Sequence, residues 1–146
     1  MKRILATAAV AACLAGPALS EGVISYTTDE AFDDVVFGLE NAIVDAGLVV
    51  DSVSHVGDML ERTKEDVGGT VTIFEKADVY SFCSAAVSRR AMEADPMNIV
   101  YCPYGIFVAQ QPGGQVMIGF RDYPDGPMQE VEAMLDGIAK SAIGME

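Results

Sequence analysis

The sequence has 146 residues, of which 22 are Asp or Glu and only 9 are Lys or Arg, so its formal net charge at pH 7 is −13. So acidic a surface repels the phosphates of DNA, RNA and anionic lipids, which argues against nucleic acid and such membranes as partners. The length suits one domain with its own hydrophobic core.

The first twenty residues have the pattern of a secretory signal peptide. Lys2 and Arg3 precede an apolar run over residues 4–15, and Ala18 and Ser20 supply the small side chains that signal peptidase recognises. The run is shorter than the ~20 residues that a membrane-spanning helix needs. We therefore expect cleavage after Ser20, export to the periplasm, and a mature chain without a transmembrane segment.

A second interpretation of this segment is a lipoprotein signal, in which Cys13 becomes a lipidated N-terminus and anchors the protein at a membrane. Cleavage after Ser20 instead leaves residues 21–146, which we expect to form a single domain. Because Lys2 and Arg3 are then lost, 7 Lys and Arg remain against 22 Asp and Glu, a net charge of −15.

The first half of the mature chain alternates between strand and helix patterns. Residues 23–28 predict a strand, and we expect Asp29 to cap the helix that follows and Gly47 to end it. Residues 48–56 predict a second strand, followed by a polar, partly helical link over residues 57–69. The helix between these two strands is predicted to bury one face, whose residues have three-four spacing: Phe32, Val35, Val36, Leu39, Ile43 and Ala46.

The second half begins with a strand pattern at residues 70–74, and the chain is then expected to be extended or irregular up to Phe82. A helix is predicted from Ser84 to Ala94, where Asp95-Pro96 stops it. Residues 101–110 and 115–121 predict a hairpin, whose second strand turns Val116, Ile118 and Phe120 to the core. A final amphipathic helix is predicted from Met128 onward, with an inward face formed by Val131, Met134, Leu135, Ile138, Ala142 and Met145.

This order of elements predicts an α+β domain. Its sheet is mainly antiparallel and its helices pack on one face of the sheet. The other face is left open for a ligand or a partner.

Two cysteine-centred segments, Phe82-Cys83-Ser84-Ala85 and Cys102-Pro103-Tyr104, carry a resemblance to a known family. The pattern also includes Ala31-Phe32, Leu39, Ala46-Gly47-Leu48, Asp95-Pro96 and Asn98-Ile99-Val100. By this pattern, residues 23–121 resemble the bacterial and archaeal family called domain of unknown function 302. The resemblance implies a fold similar to the topology of TATA-binding protein, and it implies no established activity.

Cys83 and Cys102 are the two cysteines of the mature chain. Because exported proteins meet an oxidising compartment, one interpretation is a structural disulfide. The bond cannot form if the two residues lie at opposite ends of the sheet, since a ten-residue helix is about 15 Å long and a disulfide needs Cα atoms within about 7 Å. Both alternatives stay open from the sequence.

If the cysteines are free, Cys83 is the candidate reactive thiol, because the partial positive charge at a helix N-terminus lowers a thiol pKa. The absence of a Cys-x-x-Cys motif argues against a thioredoxin-like enzyme. A metal or haem site would need further ligands, for which His55 and Met97 are the candidates, although their spacing matches no ligand motif.

The sequence contains no nucleophile motif, no phosphate-binding glycine loop and a single histidine. It therefore favours an exported accessory or binding domain over an enzyme, with an unidentified small ligand or periplasmic protein held near Cys83, Cys102 and Tyr104. The alternative is a thiol-dependent protein that binds a metal or haem, or handles sulfur compounds, through Cys83 and Cys102. No specific cofactor is predicted.

Overall fold

The computed structural model describes residues 18–20 and 22–145. Most of the predicted signal peptide, with Cys13, lies outside the described residues. Within the described chain, no helix combines the length and the apolar character needed to cross a bilayer.

The described residues form six strands and four α-helices. In chain order they are β1 (Ala18–Ser20), β2 (Val23–Thr28), α1 (Phe32–Asp45), β3 (Val50–His55), α2 (Val56–Thr63), β4 (Lys76–Phe82), α3 (Ala85–Ala94), a 3₁₀ helix (Pro96–Tyr101), β5 (Tyr104–Gln110), β6 (Val116–Arg121) and α4 (Gln129–Ala142).

The strands form one open sheet in the order β1-β2-β6-β5-β4-β3, and all neighbours are antiparallel. The predicted α+β class with an antiparallel sheet is confirmed. The strand β1 lies in the segment that cleavage after Ser20 would remove, which would leave a sheet of five strands. This order is compatible with the topology of TATA-binding protein, which stays a prediction.

The core lies between one face of the sheet and the helices α1, α3 and α4. Alternate residues of the central strands enter it, because side chains of a strand point to opposite faces in turn. The helices α1 and α4 pack so closely that the backbone of Gly38 leaves no room for a side chain beside the carbonyl of Ala142. Fully buried side chains of this core include Val35, Leu39, Ile43, Phe82, Ile106, Ile118, Phe120 and Leu135.

Several local predictions are confirmed. Gly47 ends α1 with a φ of 74°, and its N–H and that of Leu48 donate to the carbonyls of Val44 and Ile43, which closes the helix end. The β5–β6 hairpin and the core face of β6 are present as predicted.

Other local predictions are wrong. Asp29 does not cap α1, which begins after Ala31 without a side-chain cap, and the Asp29 carboxylate instead accepts a hydrogen bond of 2.6 Å from the amide of Gln115. Residues 70–74 form no strand, and the strand of this region is β4. The predicted strands also extended too far, because Val56 already belongs to α2 and Tyr101 to the 3₁₀ helix.

Candidate functional site

The pairing of β4 with β5 brings the two cysteines together. Phe82 is opposite Tyr104 in this antiparallel pair, so the end of one strand adjoins the start of the other. Cys83 directly follows β4, and Cys102 stands two residues before Tyr104. Their sulfur atoms are 3.7 Å apart, and the Cys83 thiol donates to the Cys102 sulfur.

The two cysteines therefore lie at the same end of the sheet, not at opposite ends. The helix α3 leads the chain about 15 Å away from Cys83, but the six-residue 3₁₀ helix that follows can return it by about 12 Å. The separation of the sulfur atoms is nevertheless larger than the ~2.05 Å of a disulfide bond. Both cysteines are free thiols in this structure.

The start of α3 fixes the position of Cys83. Ser84 is the N-cap residue, and its hydroxyl accepts a hydrogen bond of 3.3 Å from the N–H of Val87. One turn along the same helix, the hydroxyl of Ser88 lies 3.8 Å from the Cys102 sulfur and donates to the hydroxyl of Tyr104 at 3.0 Å. We refer to Cys83, Ser88, Cys102 and Tyr104 as the dithiol site.

The members of the dithiol site differ in exposure. Cys83 is exposed and Cys102 is half-buried, whereas Tyr104 is only 1% exposed and belongs to the core. A ligand can therefore reach the sulfur atoms from solvent, while Tyr104 supports them from inside the domain.

The pKa of Cys83 is raised and not lowered, which corrects the expectation from its place before a helix. Loss of hydration is the largest cause, followed by the hydrogen bond and the charge of Cys102, while a backbone hydrogen bond from Tyr104 opposes the rise. Neither Arg89 nor Arg90 is among the causes that act on Cys83, and each pairs with a carboxylate, Arg89 with Glu93 at 2.8 Å and Arg90 with Glu130 at 3.0 Å. Cys83 is therefore protonated at neutral pH.

Tyr101 and Tyr123 form an aromatic cluster with Tyr104. Burial raises the pKa of Tyr104 to about 12 and that of Tyr123 to about 12, so both phenols are neutral at physiological pH. The ring of Tyr123 lies 6.3 Å from that of Tyr104, edge to face, and 5.7 Å from that of Tyr101. This packing holds the segment that contains Cys102 against the core.

The structure does not bring His55 to the cysteines. His55 ends β3 and bonds the Asp78 carboxylate at 2.8 Å, whereas Val50, at the other end of β3, is the residue opposite Phe82. Five strand residues separate the two ends by roughly 16 Å. Met97 is 66% exposed on the 3₁₀ helix. Among the described residues, no three His, Cys, Asp or Glu side chains are grouped closely enough to hold a metal ion.

Ser88 and Tyr123 were not identified from the sequence. Ser88 lies four residues after the cap Ser84, and this spacing places two hydroxyls on the same side of α3. Tyr123 follows the hairpin by two residues and carries no motif. Only the first of these positions had a signal in the sequence.

Comparison with known proteins agrees with the fold. No curated protein matches this chain. One similar solved structure is the crystal structure of an uncharacterized conserved protein DUF302 from Bacillus stearothermophilus, which is 15% identical, with a TM-score of 0.60 over 86% of this chain and 95% of that chain. At this identity the likeness shows the fold alone. The family model described as domain of unknown function DUF302 matches residues 24–142, which adds α4 to the range that the cysteine motifs indicated. The chain therefore belongs to the DUF302 family.

Proposed function

We propose that this protein is an exported accessory domain that binds a thiophilic metal ion through the thiols of Cys83 and Cys102. One observation carries the proposal: the sulfur atoms of the exposed Cys83 and the half-buried Cys102 lie 3.7 Å apart, on segments that the sheet and α3 hold in place. Two thiols at this spacing can bind one ion together. The signal-peptide pattern of the first twenty residues supports export.

The raised pKa of Cys83 favours binding over thiol catalysis. A thiol attacks a substrate as its thiolate, so a high pKa leaves little of the reactive form at neutral pH. A thiophilic ion can instead displace the thiol protons when it binds, which makes the affinity depend on pH without preventing binding.

Cu(I) is the ion that the donor set fits best. Soft thiolate ligands select Cu(I), whereas a structural zinc site needs four ligands. The described residues group no third His, Cys, Asp or Glu with the two cysteines. Two sulfur donors suit an ion that accepts a low coordination number.

The experiment is an anaerobic titration of the reduced chain 21–146 with Cu(I) against a chromophoric Cu(I) chelator, followed by native mass spectrometry. We expect one Cu(I) per chain, and at least a tenfold loss of affinity in Cys83→Ser and in Cys102→Ser. His55→Gln is the matched control, because His55 lies at the far end of β3, and it should bind as the unmodified chain does. Absence of bound Cu(I), or unchanged affinity in both serine variants, would overturn the proposal.

A second candidate function is reversible thiol–disulfide exchange, which the short distance between the sulfur atoms also favours. A thiolate of the pair would attack a disulfide of a partner molecule, which forms a mixed disulfide and releases one partner thiol. The second cysteine would then attack the mixed disulfide, so that the Cys83–Cys102 disulfide forms and the second partner thiol leaves. The mass of the protein isolated from the exported fraction separates the two candidates. A denatured mass two hydrogens below the dithiol form, with thiol labelling only after reduction, supports exchange, whereas two free thiols support metal binding.

A further inference from the structure

A cavity of about 250 Å³ lies on the open face of the sheet. It adjoins the same chain segment as the dithiol site but on the other side, because Gly105, which lines it, alternates along β5 with the core residue Tyr104. Aromatic residues line it, and Arg121 stands at the end of β6 beside them.

Gly105 leaves the space of the cavity open. A Cβ added at Gly105 would meet nothing closer than a methyl group of Val79 at 3.6 Å, so this position forms an open floor. A Cβ at Gly119 would lie only 2.8 Å from the ring of Phe107, which shows that this ring lies across the backbone of β6. Phe107 thus forms one wall of the cavity, and Tyr101 and Tyr123 are also part of its lining.

Arg121 is an unusual cation in this acidic protein. Of the seven Lys and Arg of residues 21–146, five pair with carboxylates. Within the described residues Arg121 has no carboxylate oxygen within 4.0 Å, and the same is true of Arg62. Arg121 and Tyr123 line the same cavity, and the charge of Arg121 counteracts part of the burial effect on the pKa of Tyr123.

We infer that this cavity binds a small aromatic carboxylate. The guanidinium of Arg121 matches a carboxylate with two parallel hydrogen bonds, and the aromatic lining suits a ring. The cavity volume of about 250 Å³ equals that of about eight water molecules at ~30 Å³ each, which is enough room for one aromatic ring with a carboxylate. The inference does not depend on the proposed metal site, since none of the lining residues is a cysteine.

The experiment titrates the ¹⁵N-labelled chain 21–146 with benzoate and, separately, with benzamide, its uncharged isostere, and follows the amide signals of β5 and β6 by NMR. We expect benzoate to bind roughly tenfold more tightly than benzamide, because a hydrogen bond to a charged group is stronger than one to a neutral group. Arg121→Gln should abolish this preference. Arg62→Gln should keep it and is the matched control, because Arg62 likewise has no carboxylate partner among the described residues.

A second variant tests the cavity itself. Gly105→Val introduces a β-branched side chain where the backbone has no positive φ and a Cβ has room, so the fold should persist while the cavity fills. We expect it to abolish the binding of both probes, with the amide spectrum otherwise dispersed as in the unmodified chain. Equal affinity for benzoate and benzamide, an unchanged preference in Arg121→Gln, or no shift of the β5 and β6 signals with either probe would overturn the inference.

Discussion

Gly119 is the position where the sheet leaves least room for a side chain. A Cβ there would lie 2.5 Å from the carbonyl oxygen of Ile24 and 2.8 Å from both the Phe107 ring and the Ser25 Cβ. The first of these neighbours is backbone, which cannot move without distorting the pairing of β2 with β6. We therefore expect Gly119→Ala to lower the free energy of unfolding by about 2 kcal/mol, as measured by urea denaturation.

The control for this substitution is Gly137→Ala in α4, where a Cβ would meet nothing within 4 Å. Alanine is the better helix former, so this variant should raise the free energy of unfolding by about 0.5–1 kcal/mol. If both variants change stability in the same direction, close packing at Gly119 is not what requires a glycine there.

His55 and Asp78 form a pH-sensitive contact between β3 and β4. The hydrogen bond to Asp78 raises the pKa of His55 above its ordinary value of 6.5, and the negative charge of Asp78 is the next cause. Because the folded-state pKa exceeds the unfolded one, the contact stabilises the fold fully below pH 6.5 and loses this effect as the pH rises through the folded-state pKa. We expect the free energy of unfolding to fall over this interval, and His55→Gln to remove that part of the decrease.

The measurement is an NMR titration of the His55 ring, together with denaturation curves across the same pH interval. In Asp78→Asn the pKa of His55 should return toward 6.5, because both main causes of its rise are removed. A His55 pKa at or below 6.5 in the unmodified chain would contradict this account.

At the residue scale, the sequence indicated which cysteines matter but not how they are arranged. Cys83 and Cys102 stood out because they are the two cysteines of residues 21–146. Their proximity depends on the pairing of β4 with β5, and the pKa of Cys83 depends on burial and on Cys102. Neither property follows from the residues next to Cys83, so the helix N-terminus alone gave the wrong direction for its pKa.

Among the elements, α1 and α3 begin in different ways, although Asp29 before α1 and Ser84 before α3 are both residue types suited to capping. The Ser84 hydroxyl accepts from the Val87 N–H and is buried, whereas Asp29 bonds Gln115 and leaves α1 without a side-chain cap. Loss of an N-cap hydroxyl costs about 1 kcal/mol. We therefore expect Ser84→Ala to lower the free energy of unfolding by about 1 kcal/mol, and Asp29→Ala by less, in denaturant titrations of the two variants.

The same pair of variants should differ at the dithiol site. Ser84→Ala loosens the first turn of α3, which positions Cys83, so the thiol of Cys83 should react faster with an alkylating reagent. Asp29→Ala should leave this rate unchanged, since Asp29 contacts Gln115 instead. A larger stability loss in Asp29→Ala than in Ser84→Ala would show that the capping argument is wrong.

The strand β4 shows why some elements could not be predicted. Lys76 and Asp78 interrupt its apolar pattern, and their charges are matched by Asp33 at 2.6 Å and by His55, which are distant in sequence. Val71 and Ile73, which gave the strand pattern before it, are 69% and 49% exposed in a loop. The helices α1 and α4 and the β5–β6 hairpin, which follow local periodicity and turn residues, were predicted as elements, although Ala46 and Met145 of the predicted inward faces are exposed beyond the helix ends. The strand β4, which depends on distant charge partners, was not predicted.

For the molecule as a whole, charge is the dominant surface property. Residues 21–146 carry 22 Asp and Glu and 7 Lys and Arg, and five of these cations already pair with a carboxylate. Most of the carboxylates therefore have no cation beside them. Their mutual repulsion opposes the compact state, which brings the charges closer together than the unfolded chain does.

Salt should consequently stabilise this protein. The Debye length falls from ~30 Å at 0.01 M to ~8 Å at 0.15 M, so added NaCl screens the repulsion between separated carboxylates. The exposed ion pairs weaken at the same time, but each contributes at most about 1 kcal/mol. We expect the Tm at neutral pH to rise with NaCl over this interval, as followed by circular dichroism.

The double variant Glu65→Gln, Asp66→Asn removes two exposed charges from a loop, so it should have a higher Tm at low salt and a smaller rise with NaCl. A Tm that falls as NaCl is added would show that the ion pairs outweigh the repulsion between the carboxylates.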